Sequence, residues 1–256
     1  MPISRGFMQN NSRTYTKIGK ILKEEISQGK YKIGDKLPTE RNISERFEVS
    51  RTIVREAIVM LEVEKIIEVR KGSGIYVIKI PDLLQEEADN KLRDVGPFEL
   101  LQARQLLESS IAEFAAQQVT KQDILRLRQI LDKEKELFAQ NIDDCSADKE
   151  FHLALAEITG NDVLIQTQEQ LWKYRFNNAM WTQLHSRIIH NDLHHLWIKD
   201  HETILNAIQR KNPALARKAM WQHLENVKTK LLELSDVEDT NFDGYLFNVN
   251  PVIVGI

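Results

Sequence analysis

"SRTIVREAIVMLEVEKIIEVRKGSGIYVI", residues 50–78, changes its period halfway along. Ile53, Val54, Ala57, Ile58 and Leu61 recur at helical spacing and make one apolar face. Ser50 stands just ahead of them, and serine caps a helix by accepting a hydrogen bond from a backbone N–H of the first turn. "IIEVRKGSGIYVI" then alternates about a basic tip, where Gly72 and Gly74 permit the positive φ of a tight connection. The pattern predicts a helix followed by a β-hairpin. Upstream, Ile18, Ile21, Leu22 and Ile26 predict a helix that Gly29 ends, and Thr39 can cap a short helix carrying Ile43 and Phe47. Three helices and then a hairpin are the parts of a winged helix-turn-helix.

Such a unit grips DNA with its last helix and its wing. Arg51, Thr52 and Arg55 lie near the start of that helix, the end that enters a major groove. An arginine fork can bond guanine O6 and N7 together, and Thr52 can reach a phosphate or a thymine methyl. Arg41 begins the preceding helix, placed for the groove or the adjacent backbone. Lys71, with the amides of Gly72 and Gly74, suits phosphates or the minor groove, where side-chain bulk is unwelcome.

Charge points the same way. The 256-residue chain has a net charge of −3, yet residues 1–80 carry sixteen basic against ten acidic side chains, and the remainder nineteen against twenty-eight. A basic head meets a polyanion, and an acidic body does something else. The lone Cys145 cannot pair within the chain, there is no long apolar run, and the first thirteen residues lack the apolar core of a signal peptide. The expected location is the cytoplasm.

The organisation read from the sequence is a winged helix-turn-helix over residues 1–80, a charged linker over 81–96, an all-α helical bundle over 97–235 and an apolar tail over 236–256. The fold class is therefore mainly α. Pro97 can open the first bundle helix, and Thr120 with Asp123 resembles a capping box for the second. Ser146 can start a third, which Gly160 ends. "NDVLIQTQEQLWKYRFNNAMWTQL" and "HNDLHHLWIKDHETILNAIQRK" read as one long helix each, and Asn212 with Pro213 caps the last, for six in all.

Within the bundle, Asp148 and His152 are four residues apart and share a helix face, while His201 and His223 lie on later helices. One carboxylate and three imidazoles, if they converge, suit zinc, nickel, manganese or iron and leave positions open for a bound acid. Each histidine alone would equally fit a structural role. Arg104 can clamp a carboxylate or simply pair with Glu108 one turn on, and Arg175 can be a second polar contact.

"GDKLPTERNISERFEVSRTIVREAIVMLEVEKIIEVRKGSGIYV" resembles the DNA-binding domain of the GntR family of bacterial transcription regulators, and the helical remainder is similar to the FCD effector domain of its FadR subgroup. The resemblance implies that Arg41, Ser50, Arg51, Thr52, Arg55, Lys71 and Gly72 approach operator DNA. It implies one divalent transition metal per chain, zinc first, held by Asp148, His152, His201 and His223, with Arg104 on the effector's carboxylate. "GPFELLQARQLLESSIAEFAAQQVTKQDI", "AMWQHLEN" and "YLFNVNPV" are similar to regulators of hexuronate utilisation within that subgroup. They imply a homodimeric repressor released by a sugar acid of the hexuronate type. Two rivals use the same residues: a regulator sensing the metal itself, and a metal-dependent hydrolase. The hydrolase would leave the basic head without a purpose.

Overall fold

The computed structural model describes residues 14–70, 73–81, 95–140, 142, 145–185 and 194–235. Lys71, Gly72, most of the expected linker and the whole expected tail lie outside the described residues. The chain divides into two compact units, residues 1–93 with 232–256, and residues 94–231.

The first unit holds α1 (Thr14–Ser27), α2 (Glu40–Phe47), α3 (Arg51–Val63), β1 (Ile67–Arg70) and β2 (Gly74–Val77). Thr39 caps α2 by accepting from the Asn42 amide, and Ser50 caps α3 by accepting from the Ile53 amide. Between the two helices the chain turns at Glu48, whose left-handed φ of 53° closes the connection. β1 and β2 pair antiparallel in the register Ile67–Val77 to Arg70–Gly74. The other edge of β2 is used as well: the Leu37 amide donates to the Ile75 carbonyl at 2.8 Å, and the Val77 amide to the Asp35 carbonyl at 3.0 Å. An edge paired in this way offers no template to another chain. Ile18, Leu22, Ile26, Ile43, Val54, Ala57, Ile58, Leu61, Ile67, Ile75 and Val77 are buried together with less than a tenth of their surface exposed, a continuous apolar core drawn from every element.

The second unit is helical: α4 (Pro97–Gln118), α5 (Lys121–Ala139), α6 (Ser146–Ile158), α7 (Asp162–Phe176), α8 (Ala179–His185), α9 (His194–Gln209) and α10 (Pro213–Ser235), the last running past the unit's border. The capping box at Thr120 and Asp123 is formed in both directions. Gly160 ends α6 at a φ of +64°, and Asn161 restarts the chain by accepting from the amides of Val163 and Leu164. The stretch expected as one helix from Asn161 to Leu184 is two. Asn177 ends α7, and the Asn178 side chain accepts from the Trp181 amide at 2.9 Å, so α8 starts on its own cap. Asparagine side chains compete with the helix for backbone groups, and two in succession break it here. α4 packs on α6, α7 and α9, and α5 on α6 and α9. No described helix is long and apolar enough to cross a membrane.

One side chain of the first unit is held firmly by charge. Arg55 is 1% exposed, and its Nη2 lies 2.6 Å and its Nε 3.0 Å from Glu40 Oε2. Removing one member of a buried pair strands the other's charge, so Arg55→Ala should cost on the order of 3–5 kcal/mol. Chemical denaturation of the full chain measures this, and an unchanged midpoint for the first unit would show that the pair does not support the fold.

Candidate metal centre and nucleic-acid interface

In the first unit, α3 is buried around most of its circumference, and this decides which expected DNA-facing residues reach the surface. Arg51 and Ser50 are half-exposed at its start, and Arg41 is exposed at the start of α2, where it pairs with Glu45 at 3.0 Å. Thr52 and Arg55 are placed differently from the expectation of groove-facing side chains. Thr52 is 3% exposed, and Arg55 is turned against Glu40. Their positions put both on the flank of α3 that packs inward, a direction that nearness to the helix start does not reveal. On the hairpin, Arg70 lies over the Tyr76 ring, 4.5 Å from its centroid, and pairs with Glu68 at 2.8 Å. Lys71 and Gly72 are outside the described residues.

In the second unit, three helices bring Asp148, His152, His201 and His223 together, each offering one ligand atom, all within 4.8 Å of one another. The i,i+4 spacing on α6 does place Asp148 and His152 side by side, with His152 Nε2 3.4 Å from Asp148 Oδ1. His201 comes from α9, its Nε2 3.8 Å from the same oxygen, and His223 from α10. The three imidazole rings sit 4.6–5.4 Å apart, centroid to centroid. His152, His201 and His223 are all at most 3% exposed.

The donor set fits a transition metal by its own chemistry. Both ring nitrogens of His152 and the Nε2 of His201 are buried and make no hydrogen bond of good geometry among the described residues, although His152 Nδ1 lies 2.5 Å from Glu108. A buried polar atom without a partner is costly, and a cation between the two Nε2 atoms would relieve it there. Each histidine's other ring nitrogen faces a carboxylate. His152 Nδ1 lies 2.5 Å from Glu108, His201 Nδ1 2.9 Å from Glu134 and His223 Nδ1 3.4 Å from Asp200. A carboxylate at one nitrogen orients the ring and leaves the other nitrogen for the ion.

Charge around the cluster is strongly mutual. Burial alone would raise the Asp148 carboxyl, but the Arg175 guanidinium, with His152 and His201, holds it well below the usual carboxylate range. Burial would also raise Glu108, and there Arg104 and His152 reverse the effect. His223 is pushed down to about 3, by burial first and by its histidine neighbours, against the pull of Asp200. It is therefore neutral near pH 7, the state a metal ligand needs. Burial would lower His152 too, but Glu108 and Asp148 outweigh it and raise the group above its ordinary value.

Both expected effector arginines are at this place. A pocket is lined by Arg104, Asp148, Arg175, Trp181, Trp197, His223 and Val227. Arg104 makes the expected pair with Glu108, Nε to Oε1 at 2.6 Å, while still lining the pocket. Arg175 donates from Nη1 to Asp148 Oδ2 at 2.7 Å. Both guanidiniums lie 4.5 Å from the centroid of the Trp172 ring. Glu134, Asp200 and the tryptophans Trp172, Trp181 and Trp197 are not among the residues expected from sequence, and Glu108 is expected there only as the partner of Arg104, not behind a histidine. Trp172 and Arg175 carried a local signal, being three residues apart on one helix. Glu134 carried none, since 67 residues separate it from its histidine.

Comparison with known proteins agrees with both units. Residues 14–77 match the bacterial regulatory proteins of the gntR family, and residues 99–226 match the FCD domain. The Uxu operon regulator of Haemophilus influenzae is 74% identical over 245 residues, 96% of this chain and 92% of that protein. The Exu regulon transcriptional regulator of Escherichia coli K12 is 50% identical over 94% of this chain and 93% of its own length. The Uxu operon transcriptional regulator of the same organism is 47% identical over 94% and 95%. With a winged helix-turn-helix of the gntR type followed by an FCD helical domain, the chain belongs to the GntR family of bacterial regulatory proteins.

Proposed function

We propose that this chain is a DNA-binding repressor of genes for hexuronate uptake and breakdown, released from its operator by a sugar acid bound at the metal cluster. It is a regulator and not an enzyme. The reading rests on the buried pocket in which Asp148 and His223 of the cluster meet Arg104, Arg175, Trp181 and Trp197. Two guanidiniums beside a cation site suit a carboxylate, and indole faces suit the C–H face of a sugar. Relatives named for the uxu operon and the exu regulon support a hexuronate, galacturonate or glucuronate, over other acids.

Asp148, His152, His201 and His223 would hold one divalent ion, with zinc favoured by the imidazole-rich set. Once bound, the ion supplies a Lewis-acid contact for the effector's carboxylate. Arg104 and Arg175 donate hydrogen bonds to the acid's oxygens, and the two pocket tryptophans exclude water from the sugar. On the DNA side, Arg51 reads bases from the start of α3, while Arg41, Ser50, Lys71 and Gly72 hold the backbone. Arg55 keeps α3 in place, with Thr52 packed beside it. A homodimer would set two recognition helices about 34 Å apart, one DNA turn, on a near-palindromic operator. The effector acts by preferring a conformation that does not fit that spacing, because equal affinity for both states would shift nothing.

Anisotropy titration of a promoter fragment from hexuronate genes tests this. A hexuronate should weaken binding by the metal-loaded protein about 5–150-fold. Release by a chelator or by metal alone, with no response to any sugar acid, would replace this reading with a metal sensor. Arg51→Ala should cost about 1–3 kcal/mol of operator affinity and relax base choice at one position. His152→Ala should lose bound metal and the hexuronate response together while retaining operator binding, checked by metal analysis and the same titration.

A further inference from the structure

We infer that Glu108 is a positioning residue that holds His152 and Arg104 at once and so ties the metal cluster to the guanidinium facing the pocket. The inference rests on the metal reading above. Three carboxylates stand behind the three histidines, each on its own helix: Glu108 on α4, Glu134 on α5 and Asp200 on α9. A carboxylate beside Nδ1, as Glu108 is at 2.5 Å from His152, draws the ring proton to that nitrogen by charge and leaves the Nε2 lone pair to the cluster, although the His152 contact is not aligned as a hydrogen bond.

Glu108 differs from the other two in what else it touches. Its Oε1 accepts from Arg104 Nε at 2.6 Å, while its Oε2 lies 2.5 Å from His152 Nδ1. Its side chain is 1% exposed, against 14% for Glu134 and 21% for Asp200. Arg104 then packs over Trp172, whose ring centroid is 5.4 Å from that of His152. Arg104, Glu108, His152 and Trp172 thus form a closed buried group. A carboxylate fixed between a guanidinium and an imidazole cannot move toward one without leaving the other, and water is too scarce there to make up the loss. A change at Arg104 is therefore felt at His152, whereas neither Glu134, set against His201, nor Asp200, set against His223 and Asn226, is paired with Arg104.

Zn²⁺ affinity of the full-length protein, measured by competition with a chromophoric chelator, tests this without any sugar acid. Glu108→Gln should weaken Zn²⁺ binding about 10–100-fold. Arg104→Gln should change Zn²⁺ affinity by at least about twofold when Glu108 is present and leave it unchanged in the Glu108→Gln background. Arg104→Gln and Glu134→Gln should act independently. On the unaltered Zn²⁺-loaded chain, ring ¹⁵N shifts should place the His152 proton on Nδ1, a readout that stands even if Glu108→Gln fails to fold. Zn²⁺ affinity undisturbed by Glu108→Gln, equal effects of Arg104→Gln in both backgrounds, or a proton on Nε2 would overturn the inference while leaving the metal reading intact. An unaltered chain that takes up no Zn²⁺ would overturn the metal reading and this inference with it.

Discussion

Four carboxylates and two guanidiniums gather around the histidine cluster of the helical unit: Asp148, Glu108, Glu134 and Asp200 against Arg104 and Arg175. Taking ions out of water costs several kcal/mol each unless partners repay it. Every one of these groups has such a partner, and the three imidazoles share the carboxylates among them. The four carboxylates outnumber the two guanidiniums by two negative charges, the charge of one divalent cation. The apolar core around it, with Phe151, Leu155 and Trp172 fully buried, makes that imbalance expensive to leave unmet.

Helical periodicity supplies the geometry. α4 places Arg104 and Glu108 one turn apart, α6 does the same for Asp148 and His152, and α7 sets Trp172 and Arg175 on one face. Contacts across the unit then close the arrangement, through Arg175 to Asp148 and His152 to Glu108. Because the side chains stand on regular helices and not on loops, their spacing is fixed by backbone hydrogen bonds far stiffer than a side-chain network alone.

What could be read beforehand followed from local rules. Caps at Thr39, Ser50, Thr120 and Asn212 and the hairpin about Gly74 depend on neighbours a few residues away, and all of them form. The pairing of Asp148 with His152 is legible for the same reason, while His201 and His223 are candidates whose convergence with that pair only the resemblance to a family implies, because no local pattern joins three separate helices. The carboxylates behind the histidines were illegible: their partners are 44, 67 and 23 residues distant in a chain rich in surface acids. Thr52 and Arg55 exposed the converse weakness. A position near a helix start gives the height along the axis, and only packing gives the direction.

The placement of the tryptophans has an optical consequence. Of four in the chain, Trp181 and Trp197 line the pocket, and Trp172 lies against both its guanidiniums and the His152 ring. Indole emission depends on local polarity and on nearby cations and imidazoles, so three of the four indoles stand where occupancy would alter their emission. The protein carries its own luminescent gauge of this cavity, with Trp221, half-exposed on α10, as the remaining background emitter.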